Sequence, residues 1–434
     1  MRCFAQKTMA ALVLAGACLL SGCAAPGGTA GVEELLRAPQ LPGEYSQVQK
    51  ALNAYLGESA QLKYPASGDF LSPFLFGDWD GNGTEDAAVL YTTPAKGQNV
   101  HLAVLEQQEG EWQVTQEIEG LSTSVDSIDS AGMQSEAGSQ LIVGYGSTQG
   151  DKYLAVYTYA DQTLDPVYQQ AYSQYLLQDI TGNMRQDIVI VSPSSESDLT
   201  VQLLTNVDGQ FQLVQEMGVS QQNFIECAGI YSSVGTNGSR YLILDGYTGE
   251  TGAALASSIL HYNSRLQQLE PFVPLSTEDL YAATRRYVPI LHSMDIDGDG
   301  TVEIPTVLSE EEGGTVAFTQ DRRLCFVSWR DYTGEGDPEV SYGVVDVEYG
   351  FYLPLPPEWK GKVMLTENEA EQAWEVRWLE DEHLYLSVRV GQPGKQPVGY
   401  REIGTLGGTQ VQAKLHPAAY PLGYYDMIQG FRVL

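Results

Sequence analysis

The sequence contains few cationic side chains. Among its 434 residues, 23 are Lys or Arg and 56 are Asp or Glu, which gives a formal net charge of −33 at pH 7. A nucleic-acid backbone requires a basic face on its partner, so we expect no nucleic-acid partner. Divalent cations, basic proteins and uncharged glycans are compatible with this charge, and acidity alone also keeps an exported protein soluble.

Catalytic signatures are also missing. The sequence contains no G-x-S-x-G, H-E-x-x-H or C-x-x-C motif and no phosphate-binding loop. The five histidines are scattered, and no two of them stand at the spacing of a metal-ligand pair. These absences predict that the chain is not an enzyme.

Cysteine is rare beyond the N-terminal segment. Only Cys227 and Cys325 follow residue 23, so they either form one disulfide or remain as two thiols. Both stand in apolar, strand-like runs, which favours two buried thiols.

The first 22 residues have the pattern of an export signal. An apolar run over residues 9–20 follows Arg2 and Lys7 and ends in small residues before Cys23. The run is too short for a stable spanning helix, so we predict a signal peptide over residues 1–22.

The end of this signal, Leu-Ser-Gly-Cys, resembles the lipobox of bacterial lipoproteins. The resemblance implies cleavage before Cys23, acylation of its thiol, and anchoring in the lipid bilayer. The protein would then lie at the extracytoplasmic face of a bacterial membrane, on the cell surface. An ordinary secreted protein with a chance cysteine is the alternative.

Residues 23–66 form a connecting segment. After Cys23, residues 24–31 are a short flexible tether. The later spacing of Val48 and Leu52 predicts one or two short helices.

Short β-type runs divided by Gly, Asn, Asp and Ser occupy residues 67–338. Five of them align and recur every 47 to 62 residues, at Ala87, Leu141, Ile188, Leu242 and Ile304. One small sheet cannot bury both of its faces alone, so such repeats predict blades that stack around an axis. We predict a mainly β fold with a β-propeller of about five blades. Whether a divergent sixth blade includes residues 336–347 is left open by the sequence.

Two nine-residue segments, DWDGNGTED and DIDGDGTVE, concentrate oxygen ligands at alternate positions. The candidates are Asp78, Asp80, Asn82, the Thr84 carbonyl and Asp86, and then Asp295, Asp297, Asp299, the Thr301 carbonyl and Glu303. The glycines between them let the backbone wrap inward with positive φ. This arrangement suits a hard cation, and its irregular geometry favours Ca²⁺ over Mg²⁺. Turns without a metal are the alternative.

An EF-hand is excluded by the same two segments. Their twelfth positions are Val89 and Thr306, where an EF-hand requires Glu. Both segments also run directly into strand-like sequence and not into a helix.

The pattern of the two segments resembles the calcium loop of FG-GAP and VCBS-type propeller repeats. The resemblance implies a structural Ca²⁺ that ties a loop between strands and takes no part in chemistry. A third copy, at residues 179–187, keeps four ligand-type residues but has Met184 in place of the second glycine. Metal binding by this third copy stays open.

The chain as a whole is similar to surface lipoproteins of clostridia-type bacteria. Residues 33–91 carry this likeness best, through the LLRAPQL and LKYP segments. The likeness implies no assigned biochemical activity.

Residues 339–434 do not continue the repeat of short β-type runs. The segment at 348–363, EYGFYLPLPPEWKGKV, resembles the entry of a small α+β module of exported bacterial proteins, so we predict a C-terminal α+β domain.

The predicted function is that of a calcium-stabilised propeller that binds or scaffolds an unidentified protein or envelope glycan. The alternative is a glycan-acting propeller enzyme with axial carboxylates.

Overall fold

The computed structural model describes residues 43–131, 139–194, 198–207, 210–219, 224–235, 238–313, 316, 324–334, 338–417 and 421–434. The predicted signal peptide, Cys23 and the tether lie outside these residues. No helix in the described ranges is both long enough and apolar enough to cross a membrane.

The first described element is helix α1 (Gly43–Leu56). Val48 and Leu52 lie one turn apart and are fully buried, as an apolar face at helical spacing requires. Tyr45 packs edge-on against Phe74 at 5.3 Å between ring centroids. The helix thereby covers one face of the first sheet.

Most of the described chain is β-structure, in six antiparallel sheets. Sheet 1 contains β1 (Gln61–Leu62), β2 (Phe74–Gly77), β3 (Asp86–Thr92), β4 (His101–Gln108) and β5 (Glu111–Glu119). Sheet 2 contains β6 (Ser124–Ala131), β7 (Gln140–Gly146), β8 (Lys152–Ala160) and β9 (Thr163–Ala171). Sheet 3 contains β10 (Gln174–Gln178), β11 (Asp187–Pro193), β12 (Leu199–Val207) and β13 (Gln210–Val219). Sheet 4 contains β14 (Phe224–Val234), β15 (Arg240–Thr248), β16 (Ala254–Asn263) and β17 (Gln268–Pro271).

Helix α2 (Leu280–Thr284) leads from sheet 4 to the last two sheets. Sheet 5 contains β18 (Ile304–Val307), β19 (Leu324–Arg330), β20 (Glu339–Asp346), β21 (Phe351–Pro354) and, at the chain end, β27 (Arg432–Val433). Sheet 6 contains β22 (Val363–Asn368), β23 (Ala373–Trp378), β24 (Leu384–Gly391), β25 (Arg401–Leu406) and β26 (Thr409–Leu415). Helix α3 (Tyr424–Gly430) follows sheet 6.

The repeat seen in the sequence corresponds to equivalent strands of five sheets. The aligned positions are all fully buried and lie in β3, β7, β11, β15 and β18, at Ala87, Leu141, Ile188, Leu242 and Ile304. Strands β3, β7, β11 and β15 are buried along almost their whole length, because neighbours cover both faces of their sheets. The prediction of a mainly β fold with repeated, blade-like sheets is confirmed at this level.

Hydrophobic cores join each sheet to the next. Separate clusters of buried side chains join sheets 1 and 2, 2 and 3, 3 and 4, 4 and 5, and 5 and 6. Within the described residues, no such cluster contains side chains of both sheet 1 and sheet 5. Helix α1 covers the outer face of sheet 1, and sheet 6 packs against sheet 5. The sheets therefore follow one another as propeller blades do, and both ends of the succession are covered.

The predicted domain boundary after residue 338 falls within sheet 5. Strand β20 begins at Glu339 and pairs with β19 as far as the Leu324–Asp346 register pair. The cluster around the fully buried Trp359 is shared between sheets 5 and 6. The C-terminal residues therefore complete sheet 5 before they form sheet 6.

The two cysteines beyond the N-terminal segment are free thiols. Cys227 lies in β14 and Cys325 in β19, and burial raises the pKa of each thiol to about 12. The structure has two free thiols and not a disulfide, but Cys227 is buried whereas Cys325 is only partly buried.

Candidate functional site

The first acidic loop connects β2 to β3 and wraps around its own carboxylates. Asp86, the first residue of β3, is fully buried, and its Oδ2 accepts a hydrogen bond from Trp79 N at 3.1 Å. The Oδ2 of Asp78 accepts one from Gly83 N at 2.9 Å. Gly83 has a φ of 83°, a conformation that a glycine adopts without strain. These contacts turn the carboxylates of the loop toward one another.

Asp78, Asp80 and Asp86 form an acidic triad whose carboxylate oxygens lie within 4.8 Å of one another. Within the described structure, Asp78 Oδ1 and Asp86 Oδ1 are buried and have no hydrogen-bond partner. Burial, together with repulsion from Asp80, raises the pKa of Asp86 to about 6 against the hydrogen bond from Trp79. A hard cation would supply a partner for both oxygens and remove the repulsion, so the residues present fit a divalent ion.

The second acidic loop, before β18, repeats this arrangement. Glu303 Oε2 accepts a hydrogen bond from Ile296 N at 2.9 Å, and Asp295 Oδ2 accepts one from Gly300 N at 2.9 Å. Asp295, Asp297 and Glu303 form a second triad of the same dimensions. Burial, with repulsion from Asp297 and its neighbours, raises the pKa of Glu303 to about 8.

The other predicted ligands close the turns of the two loops. The side-chain oxygen of Asn82 accepts a hydrogen bond from Thr84 N at 2.7 Å. Asp299 Oδ1 accepts the equivalent bond from Thr301 N, also at 2.7 Å. The structure therefore brings six of the ten predicted ligand residues into the triads and places the other four in the adjacent turns.

The third copy of the loop, between β10 and β11, has the same backbone frame without an acidic triad. Asp187 Oδ2 accepts a hydrogen bond from Ile180 N at 2.9 Å, and Asp179 Oδ2 accepts one from Met184 N at 3.1 Å. The Nη2 of Arg240, from sheet 4, lies 3.3 Å from Asp179 Oδ2. A guanidinium thus supplies the positive charge at this copy.

Each acidic loop also contacts a neighbouring sheet. Ser139 N, beside β7, donates a hydrogen bond to the Asp78 carbonyl at 3.2 Å. Val302 N, at the end of the second loop, donates one to Ser233 Oγ of β14 at 2.9 Å. An ion that fixes either loop would therefore also stabilise a junction between sheets.

A second polar cluster, which the sequence did not reveal, lies on β6. The pairing of β6 with β7 shifts register between Val125 and Ser127, so Asp126 is the extra residue of a β-bulge. A bulge re-aims the side chain that it carries. Asp126 Oδ1 lies 3.1 Å from Lys152 Nζ, and Asp126 Oδ2 accepts a hydrogen bond from Tyr172 OH at 2.7 Å. Both contacts stabilise an ionised carboxylate.

Asp129 lies on the same strand in different surroundings. It accepts a hydrogen bond from Tyr175 OH, which lies 2.8 Å from Ser127 Oγ. Burial, followed by repulsion from Asp69, raises the pKa of Asp129 above its ordinary value despite the hydrogen bond from Tyr175. Two carboxylates of one strand therefore have different partners: Asp126 pairs with Lys152, and Asp129 is held by Tyr175.

A pocket of about 260 Å³ opens beside Asp126. Lys152 and Tyr172, the two partners of Asp126, form part of its wall, with Glu226 and the exposed Tyr153 nearby. The volume lies just below the range of pockets for drug-sized ligands and suits a single small ring.

No motif marks this cluster in the sequence. Lys152 lies on β8, two strands from β6 in sheet 2, Tyr172 follows β9, and Tyr175 lies on β10 of sheet 3. Their meeting with Asp126 and Asp129 therefore depends on strand pairing and sheet packing and not on local sequence. The one local signal was a pair of acidic residues within an otherwise strand-like run.

No protein-family model and no curated protein matches the sequence. Among solved structures, the chain is similar to a Bacteroides uniformis protein provisionally assigned as a 6-phosphogluconolactonase, with 12% identity, a TM-score of 0.30, and coverage of 74% of this chain and 93% of that chain. It is also similar to a mutant levansucrase of B. megaterium, with 9% identity, a TM-score of 0.26, and coverage of 71% and 89%. A rhamnogalacturonan lyase of Bacillus licheniformis matches with 12% identity, a TM-score of 0.30, and coverage of 74% of each chain.

These comparisons contradict the prediction that the chain is not an enzyme, because all three similar structures carry the names of enzymes. That prediction relied on missing motifs, and carboxylates brought together by packing leave no motif. At these identities and TM-scores, the likenesses transfer no activity to this chain.

Proposed function

We propose that the protein is a calcium-binding, propeller-like protein that acts on an uncharged glycan at Asp126 and Asp129. The observation that carries the proposal is the contrast between these two carboxylates on β6. Asp126 contacts Lys152 and Tyr172, which line a pocket, and Asp129 is half-buried with a raised pKa.

This contrast matches the chemical requirement of glycoside hydrolysis. Cleavage of the glycosidic C–O bond requires an acid that protonates the leaving oxygen and a carboxylate that activates water or attacks the sugar carbon. Asp129, with its raised pKa, would act as the acid, and Asp126, beside Lys152, as the second carboxylate. The net reaction adds one water across the broken bond.

The pocket and the charge of the protein indicate the class of glycan. The exposed Tyr153 offers an aromatic ring to a sugar at the wall of this pocket. The net charge of −33 repels polyanions. A neutral polymer of the bacterial envelope is therefore favoured over a polyanionic one.

The succession of sheets supports a propeller-like arc with β6 on its inner side. The first strands of successive sheets contact one another, β2 with β6 and β10 with β14, and Tyr175 of β10 hydrogen-bonds to Asp129 of β6. In a propeller the first strands line the axis. We place Asp126 and Asp129 among the axial carboxylates of a five-bladed arrangement.

The two triads would hold Ca²⁺. In the first loop the ligands would be Asp78, Asp80 and Asp86, with Asn82 and the Thr84 carbonyl nearby. In the second they would be Asp295, Asp297 and Glu303, with Asp299 and the Thr301 carbonyl nearby. Such an ion supplies charge neutralisation and fixes the loop against the next sheet.

Anchoring through an acylated Cys23 would place the protein on the outer surface of a bacterial membrane. That location would bring the pocket to an envelope polymer, and the acidic surface would keep it away from anionic lipid.

The proposal is tested by release of reducing ends from neutral envelope polysaccharides and chromogenic glycosides. Asp126→Asn and Asp129→Asn should each lower turnover about 100-fold or more. Asp165→Asn, on the outer strand β9, is the matched control and should have wild-type activity. Activity should fall as the pH rises through the raised pKa of Asp129, and this limb should vanish in Asp129→Asn. Absence of turnover by the wild type, or full activity in both variants, would refute the proposal.

A further inference from the structure

A second pocket, of about 590 Å³, opens at the edge of sheet 6. Its walls include Glu369 and Glu371 from the turn between β22 and β23, and Arg389 of β24. Val398 and Tyr400, from the segment before β25, also line the pocket. None of these residues belongs to the site on β6.

Arg389 is a half-buried cation that lacks an anionic partner. Its Nε is buried, and among the described residues the guanidinium makes neither a hydrogen bond nor an ion pair. Its guanidinium makes a cation–π contact, with Cζ 5.8 Å from the centre of the Tyr400 ring. Burial of a guanidinium without an oxyanion is unfavourable, and a carboxylate can satisfy it with two parallel hydrogen bonds.

The carboxylate of Glu371, in the wall of the same pocket, is engaged elsewhere. Its Oε2 accepts a hydrogen bond from Tyr400 OH at 2.5 Å. Its Oε1 lies 3.8 Å from Lys414 Nζ, on β26. Glu371 and Lys414 therefore balance each other and leave Arg389 uncompensated.

Glu369 is the complementary group of the pocket. Its side chain is exposed and has no ion pair among the described residues, although it lines the same pocket as Arg389. One cation and one anion thus face a shared space without a contact between them. We propose that this pocket binds a small zwitterion, with its carboxylate against Arg389 and its ammonium group against Glu369.

The rest of the wall indicates what kind of zwitterion fits. Val398 is 96% exposed, and Pro397 and Ala370 also line the pocket. These apolar groups suit a small apolar side chain, so the ligand class is an apolar amino acid or a short peptide of such residues. The site is independent of the proposed glycan chemistry.

Isothermal titration calorimetry with alanine and with dialanine tests the site. The carboxylate and the ammonium group lie farther apart in dialanine than in alanine, so the two probes also show which separation of charges fits the pocket. N-acetylalanine lacks the ammonium group and alaninamide lacks the carboxylate. Each should bind roughly tenfold or more weakly than the better zwitterion, because each loses one charge-assisted contact. Equal binding of all four probes, or no binding of either zwitterion at millimolar concentration, would overturn the proposal.

Variants of Arg389 and Glu369 test which side chain binds the carboxylate and which binds the ammonium group of the ligand. Arg389→Gln should weaken zwitterion binding roughly tenfold or more and remove the preference over alaninamide, whereas Arg389→Lys should retain part of it. Glu369→Gln should remove the preference over N-acetylalanine. Arg401→Gln, on the neighbouring strand β25, is the matched control and should bind as the wild type does. Unchanged selectivity in both pocket variants would contradict the site even if their melting temperatures differ.

Discussion

Asp245 and Arg286 show, at the scale of single residues, how this acidic chain holds a buried charge. Both are almost completely buried, and Asp245 Oδ1 lies 2.9 Å from Arg286 Nη2. Ser257 Oγ and Ser293 N each donate a hydrogen bond to the Asp245 carboxylate at 2.6 Å. Burial opposes the ionisation of Asp245, but Arg286 and these hydrogen bonds outweigh it and hold the pKa of that carboxyl below its ordinary value.

Replacement of Arg286 by Met should destabilise the protein by about 3–5 kcal/mol, because it leaves a buried carboxylate uncompensated. The contribution of the pair is fully present above the unfolded-state pKa of Asp and is lost as the pH falls through the lower folded-state value. Urea unfolding at neutral and acid pH measures both effects. Lys96→Met, which removes a half-exposed pair with Glu117, should cost no more than about 1 kcal/mol. An Arg286→Met variant as stable as the wild type at pH 7 would contradict this account of the pair.

The nine-residue loop is the unit that matters at the scale of elements. In all three copies the last acidic residue accepts a hydrogen bond from the second residue of the loop, and the first Asp accepts one from the sixth. The copies differ at this sixth position, which is Gly83, Gly300 or Met184. Met184 has a φ of 64° and is 80% exposed, so it adopts a strained left-handed conformation without a packing contact in return.

Met184→Gly should therefore stabilise the protein by about 0.5–1 kcal/mol, because relief of the left-handed strain exceeds the added entropy of the unfolded chain. Gly83→Met should destabilise the protein, since it introduces the same strain into the first loop. The urea midpoints of the two variants, each compared with that of the wild type, measure both changes in stability. A loss of stability in Met184→Gly would show that the left-handed conformation carries no strain there.

The loops and their strands were readable from the sequence because their ligands and turns are local. Asp78, Asp80 and Asp86 stand within nine residues, and the glycines between them let the backbone turn around the carboxylates. The role of Arg240 at the third loop was not readable, because the guanidinium comes from the next sheet. The site on β6 was missed for a similar reason, since Lys152 reaches Asp126 from two strands away and Tyr175 reaches Asp129 only after sheets 2 and 3 pack.

The whole molecule is a succession of sheets whose junctions combine apolar cores with the acidic loops. The repeat predicted stacked, blade-like sheets, but it contained no information on how the succession ends. Helix α1 covers sheet 1 and sheet 6 covers sheet 5, and neither cap belongs to the repeat. The first loop contacts sheet 2 and the second contacts sheet 4, so the predicted ions would act on junctions between sheets.

Calcium binding at the two triads is tested most directly by the melting temperature of the protein in Ca²⁺ and in chelator, together with the calorimetric stoichiometry. The wild type should bind two ions, and each site should add about 2.7 kcal/mol when free Ca²⁺ is about 100-fold above Kd. Asp80→Ala and Asp297→Ala should each bind one ion and show about half of the stabilisation. Asp179→Ala, in the loop paired with Arg240, should still bind two. A wild-type melting temperature that is the same in Ca²⁺ and in chelator, with no heat of binding, would show that both loops are turns without a metal.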